Sequence, residues 1–179
     1  MFPFDAIAVG LAVAVLISIV WTSFRVGISP MPSSQKAQKA IISAIPENTH
    51  GLIIDLGSGW GSIVFPLARS FPLATIRGIE LSLIPWAFSR VRASLSGHSN
   101  LDIQRGNFQT TSLDGAEVIV CYLFPEGMES LRAKFEEELK PNTLIISNTF
   151  RLAGWEPEEV ITLDDMHQTP IYRYRVPAK

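Results

Sequence analysis

At 179 residues, 47% of them hydrophobic, the chain has the length and apolar content of one domain with a full core. A formal net charge of −2 excludes the basic footprint of a nucleic-acid binder. The lone Cys121 excludes an internal disulfide, and His50, His98 and His167 are too scattered to build a Cys/His metal set, so neither a metal nor a nucleic acid is expected as a partner.

Residues 6–24, AIAVGLAVAVLISIVWTSF, are uncharged, and their length approaches the ~20 residues that cross a bilayer as a helix. Trp21 lies near one end, where an interfacial aromatic belongs. A cleaved signal peptide would start with Lys or Arg and end at a small-residue site; Met1-Phe2-Pro3-Phe4-Asp5 and Trp21-Thr22-Ser23-Phe24-Arg25 offer neither. A buried core helix would carry a polar stripe, which is missing here. Residues 1–25 are therefore expected to form a single transmembrane anchor. Arg25, Lys36 and Lys39 follow it and only Asp5 precedes it, which places the rest of the chain in the cytoplasm by the positive-inside rule.

Residues 26–34, VGISPMPSS, read as a linker, and residues 35–179 as the folded domain. Ser33 or Ser34 caps a helix whose apolar positions are Ala37, Ala40, Ile41 and Ala44, and Pro46 ends it. Strands are expected at 51–55, 74–80, 101–104, 117–123 and 143–147, with helices at 61–71, 83–95 and 128–139 between them. The tail adds strands around 160–163 and 171–176. Strands alternating with helices imply an α/β fold, a parallel sheet with helices on both faces.

The chemistry-bearing segment follows the first strand: Asp55-Leu56-Gly57-Ser58-Gly59-Trp60-Gly61. A tight strand-to-helix turn needs residues that tolerate positive φ, and glycines let a ligand lie on the backbone. A dinucleotide fingerprint would run G-x-G-x-x-G/A. From Gly57 its third small position falls on Ser62, and the glycine is at Gly61 instead. Asp55 sits awkwardly beside a pyrophosphate and suits a ligand with an α-amino group. Glu80, at the end of the second strand, is placed to accept hydrogen bonds from both hydroxyls of a ribose.

Asp55-Leu-Gly-Ser-Gly-Trp-Gly61, with Gly78-Ile-Glu80-Leu-Ser82, resembles motif I and the segment after it in class I, seven-strand S-adenosylmethionine-dependent methyltransferases. The resemblance covers the chain from about Ser34 onward and implies a Rossmann-like sheet with S-adenosylmethionine as cofactor. It implies that Gly57, Ser58, Gly59 and Gly61 line the methionine and ribose, and that Asp55 holds the methionine amino group. Glu80 would bind the ribose, Leu81 would pack on the adenine, and Asn107 and Phe108 would meet the adenine edge. Asn107 departs from the Asp frequent there, but an amide also hydrogen-bonds an adenine edge.

The loop after the fourth strand, where acceptor chemistry belongs, reads Cys121-Tyr122-Leu123-Phe124-Pro125. It is neither the Asn/Asp-Pro-Pro-Tyr/Phe of base amino-group methylation nor the Pro-Cys of cytosine C5 methylation. The anchor, Pro32-Ser33-Ser34, the Tyr-Leu-Phe-Pro run, Phe150-Arg-Leu-Ala-Gly-Trp155-Glu-Pro157 and Ile171-Tyr172-Arg173-Tyr174 resemble the small membrane-tethered protein lysine methyltransferases, the archaeal enzymes and the mitochondrial one acting on ATP synthase. That resemblance implies a protein partner associated with the membrane. Methyl transfer to lysine needs a positioned neutral amine, and Tyr122, with nearby backbone carbonyls, is the candidate catalytic residue to orient it; the alternative for Tyr122 is a strand-end aromatic packing on the cofactor. A lipid or small-molecule methyltransferase is the alternative enzyme. An inactive cofactor-binding scaffold is the alternative outside enzymes, and the complete set Asp55, Gly57, Gly59, Gly61 and Glu80 argues against it.

Overall fold

A computed structural model describes residues 33–178, together with Val9 and Gly10. Apart from Val9 and Gly10, the anchor expected at 1–25 lies outside the described residues, as does the linker up to residue 32. Among the described residues no helix is long and apolar enough to cross a membrane.

Helix α1 (Gln35–Ser43) starts where Ser34 Oγ accepts a 3.2 Å hydrogen bond from the Ala37 N–H, one of the donors a helix start leaves orphaned. Its buried residues, Ala37 and Ile41, lie four apart on one face and pack towards β5 and β7. Then come β1 (Leu52–Leu56), α2 (Val64–Ser70), β2 (Thr75–Glu80), α3 (Leu83–Ser96), β3 (Leu101–Arg105), β4 (Ala116–Cys121), α4 (Pro125–Glu138), β5 (Leu144–Asn148), β6 (Glu159–Thr162) and β7 (Pro170–Arg175).

The strands form one seven-stranded sheet in the order β3-β2-β1-β4-β5-β7-β6. Alternate residues of each central strand enter opposite layers. Ile53, Val118, Val120, Leu144 and Ile146 face a layer built with α1, α2 and α3, including Ile41, Leu67 and Ala93. Ile54, Leu56, Ile119, Cys121 and Ile145 face the layer of Met128, Leu131 and Phe135 from α4. Each fully buried Ile or Leu in these layers contributes about 1.5–3 kcal/mol relative to exposure. Helices cover both faces, as the alternating pattern implied.

The all-parallel expectation needs correction. β1 to β5 pair in parallel, but β7 runs antiparallel to β5, and β6 antiparallel to β7. A parallel neighbour requires a crossover of a dozen or more residues, usually a helix, and no helix separates β5, β6 and β7. Two boundaries also move. The helix expected from residue 61 starts at Val64, because Gly61 adopts φ +85°, outside any right-handed helix. The helix expected from 128 starts at Pro125, whose fixed φ and missing N–H suit a first helical position. β4 stops at Cys121 and leaves Tyr122, Leu123 and Phe124 as a connecting loop.

Sequence order runs outward from β1 to β3 on one side and from β4 to β5 on the other. The strand order therefore reverses between β1 and β4. In open α/β sheets, ligands bind beyond the carboxyl ends of the strands at such a switch point. The glycine loop leaves one of these two strands and the Tyr122 loop leaves the other.

Candidate active site

The loop after β1 is held from below by β2. The N–H groups of Gly57 and Ser58 both donate to the carbonyl of Ile79, at 2.9 and 3.0 Å, and the Gly61 N–H closes the turn onto the Ser58 carbonyl at 2.8 Å. Gly57, Gly59 and Gly61 all have positive φ (79°, 53° and 85°). At Gly61 sterics add to the backbone demand, since a Cβ there would meet Phe65 Cε2 at 2.5 Å.

Glu80 ties the loop to the next strand. Its Oε2 accepts the Gly59 N–H at 2.8 Å, and its Oε1 accepts the Ser82 N–H at 2.7 Å. The carboxylate is buried, with 8% exposure. Each of its oxygens retains lone-pair capacity beyond the one bond it accepts.

Asp55 lies on β1 opposite Gly78 of β2 and is 4% exposed. Among the described residues no donor reaches its carboxylate. Burial pushes its pKa up to about 7, and the nearby Glu80 charge adds to the rise. A buried carboxyl beside a second buried acid is expensive to ionise and favours a cationic ligand group.

The remaining sequence-expected residues are distributed around this core. Ser58 points down rather than out. Its hydroxyl is buried without a hydrogen-bond partner, and it lies where a Cβ on Gly78 would come within 2.8 Å. Leu81 is 36% exposed beside Glu80. Asn107 Oδ1 accepts the Gln109 N–H at 2.9 Å, and its carbonyl accepts the N–H groups of Thr110 and Thr111, so the turn after β3 is built around it. Phe108 is buried in the α4 layer, and its ring edge packs near Gly127. Tyr122 is half-buried and stacks on Phe150, with centroids 6.0 Å apart. Leu123, the next residue, approaches the glycine loop, with Cδ2 3.2 Å from where a Gly57 Cβ would be. The β1 loop and the β4 loop therefore meet.

Cys121 has no reactive role here. It is fully buried, and burial pushes its thiol up to about 12. Among the described residues no group of His, Cys, Asp and Glu is placed to hold a metal ion.

Three positions were missed in the sequence. Gly78 supports the loop because Ser58 rests on it; its signal was a glycine inside a buried strand. Phe124 and Phe150 extend the Tyr122 ring into an aromatic surface, with Phe124 and Phe150 centroids 5.5 Å apart. They are distant in sequence, Phe124 in the Tyr-Leu-Phe-Pro run and Phe150 at the head of Phe150-Arg-Leu-Ala-Gly-Trp155, and nothing local shows that the two runs meet.

Residues 55–159 match the model of the ANTKMT methyltransferase domain, a span that opens on Asp55 and ends in β6. The chain belongs to this family. It is an S-adenosylmethionine-dependent methyltransferase. Over 152 residues it is 29% identical to a protein-lysine N-methyltransferase of Saccharolobus islandicus, covering 80% of this chain and 91% of that protein. It is 25% identical to an ATP synthase lysine N-methyltransferase of Xenopus laevis over 133 residues, 73% of this chain. The match spans 57% of that relative's length. An RNA methyltransferase from Salinibacter ruber, solved with S-adenosyl-L-homocysteine, superposes with a TM-score of 0.76 at 25% identity, covering 83% of this chain and 95% of that one. The glycine loop and the buried Asp55 suit this cofactor, which carries both an α-ammonium group and a ribose.

Proposed function

We propose that this methyltransferase acts on a lysine side chain of a membrane-associated protein. The observation that carries the reading is the similarity to the Saccharolobus protein-lysine N-methyltransferase, which extends over 91% of that protein. The acceptor loop supports it, because Tyr122-Leu123-Phe124-Pro125 lacks the motifs of base methylation. A net charge of −2 also argues against an RNA acceptor, despite the structural likeness to an RNA methyltransferase.

In this reading Asp55 holds the α-ammonium group of the cofactor, and its ionisation is completed by that contact. Glu80 accepts the ribose hydroxyls with the lone pairs that Gly59 and Ser82 leave free. The backbones of Gly57, Ser58, Gly59 and Gly61 form the floor, Leu81 flanks the adenine, and Asn107 with Phe108 borders its edge. When bound, the cofactor supplies a methyl carbon on a sulfonium, so a neutral amine forms the N–C bond as the C–S electron pair returns to sulfur. The protein's task is then positioning and exclusion of water. Tyr122 orients the amine, and desolvation beside the buried β4 end lowers the amine pKa towards the neutral form that reacts.

The uncharged segment 6–24 supports a membrane tether, with residues 35–179 as the cytoplasmic catalytic domain behind the linker 26–34. The same tether favours a lipid amine as the second reading, since it brings the site near headgroups. Transfer of labelled methyl groups into membrane and soluble lysate fractions separates the two. Label recovered as methyl-lysine from membrane protein is the expected result, and label extracted with lipid refutes it.

A further inference from the structure

We infer that Tyr122, Phe124 and Phe150 form one aromatic wall that seats the acceptor as an aliphatic ammonium on a flexible stem, with Phe150 as the residue that sets its shape. The inference rests on the lysine reading above and adds roles for Phe124 and Phe150 beside Tyr122.

Three rings from two loops converge at the carboxyl ends of β4 and β5. Phe150 stacks on Tyr122 with centroids 6.0 Å apart and planes 20° apart, and it meets Phe124 at 5.5 Å and 35°. Phe124 is 37% exposed, a large apolar side chain held at the mouth rather than in the core. Leu123, between Tyr122 and Phe124, has its Cδ2 3.2 Å from where a Gly57 Cβ would be, so the segment that carries two of the rings runs beside the glycine loop.

The backbone is strained to place Phe150. Thr149 has φ +68°, a left-handed conformation that is a true outlier for a β-branched residue. The turn is fixed by three bonds: the Phe150 N–H to the Asn148 carbonyl at 2.8 Å, the Thr149 N–H to the Pro170 carbonyl at 2.8 Å, and the Ser147 hydroxyl to the Phe150 carbonyl at 2.5 Å. Such strain persists where the surroundings over-determine it, and it gathers at binding sites.

The chemistry of the wall selects its ligand. Aromatic faces attract a cation within about 6 Å of their centroids, so the wall receives the acceptor in its resting ammonium form, and the proton leaves on desolvation before transfer. The β4-to-α4 loop carries no Lys or Arg between Tyr122 and Met128 to repel one, and Arg151 is turned to Glu156. The 35° tilt between Phe124 and Phe150 makes an angled surface rather than a flat slot, which suits a tetrahedral ammonium better than a planar base. The apolar rings also pack along a methylene stem.

The test uses the full chain in detergent, loaded with S-adenosylhomocysteine and labelled with 3-fluorotyrosine. Tyr122, Tyr172 and Tyr174 are the three tyrosines, so fluorine spectra contain three signals, and Tyr122→Phe identifies the one at the wall. Titration with n-butylammonium should move the Tyr122 signal saturably and leave Tyr172 and Tyr174 in place. Its affinity should exceed that of 1-butanol, the uncharged probe, by about fivefold. Phe150→Leu keeps apolar bulk but loses the π face, and should weaken n-butylammonium by about fivefold with cofactor affinity unchanged by calorimetry. Should that variant lose cofactor affinity, Phe124→Leu, at the exposed ring, replaces it in the same measurement. No movement of Tyr122, or equal affinities for the two probes, overturns the inference. In the transfer assay, Phe150→Leu should raise the KM for the lysine acceptor by a similar factor. Methyl-lysine formed with unchanged KM sinks the wall and spares the lysine reading. Label in a lipid amine with a responsive Tyr122 sinks the lysine reading and spares the wall.

Discussion

Asp55→Asn isolates a buried acid of the site whose carboxylate receives no hydrogen bond from the described residues. In the free protein its carboxyl titrates near 7, well above the reference 3.8, because burial and the Glu80 charge both oppose ionisation. An ammonium from the cofactor favours the ionised form, so binding expels the remaining proton. The affinity then scales with the ionised fraction, which is about 90% at pH 8 and about 10% at pH 6 for a pKa near 7. Wild-type affinity should therefore fall about tenfold from pH 8 to pH 6 through this group alone. The cofactor's own α-amino group also titrates near 8, and subtraction of the Asp55→Asn profile removes that contribution. Calorimetry across pH 5.5–8.5 in two buffers of different ionisation enthalpy measures both affinity and proton release. A difference profile that stays flat between pH 6 and 8 would refute the assignment. The stability linkage has the opposite sign. A carboxyl whose folded pKa is raised from 3.8 to about 7 favours the fold below 3.8, and that contribution is lost as pH rises through 7. Cofactor-free protein should thus gain stability at pH 8 from Asp55→Asn, although cofactor binding suffers.

Further changes test the neighbouring residues. Gly59→Arg has room for its Cβ, with the nearest atom 3.9 Å away, but its side chain must fill the cleft; cofactor binding should vanish in calorimetry while the fold melts cooperatively. Glu80→Ala removes the acceptor for Gly59 and Ser82 as well as for the ribose and should weaken cofactor binding by up to about 3 kcal/mol, whereas equal wild-type affinity for a 2′,3′-dideoxy cofactor analogue would contradict the ribose role. Gly78→Ala forces a Cβ to within 3.0 Å of Ser58 Cβ and 3.1 Å of Ile103 Cδ1, so urea denaturation should show a loss of about 1–3 kcal/mol. The full chain should pellet with membranes and the chain lacking residues 1–25 should not; a fully soluble full chain would remove the anchor from the proposed function.

Much of the sheet was readable because it is local. Residues 52–56 and 116–121 are short, almost continuously buried runs, and a strand covered on both faces advertises itself by such a run without help from elsewhere. The glycine spacing at 57, 59 and 61 was equally local, since positive φ at each position restricts the residue types directly. Boundaries were less legible. Helical periodicity at 64–70 extends back towards 61 in sequence, but a left-handed glycine interrupts it in space.

The amino-acid sequence by itself determined the alternating fold and the glycine loop, because each depends on residue types within one strand, turn or helix. Only the tertiary structure decided the direction of β6 and β7, since pairing with β5 is a long-range event and the chain between them carries no crossover helix. It also decided that Ser58 turns inward onto Gly78, that the buried Asp55 lies close enough to Glu80 to feel its charge, and that Phe150 crosses to Tyr122. Those contacts join strands and loops separated by tens of residues, and their energetics arise from burial, which no local pattern encodes.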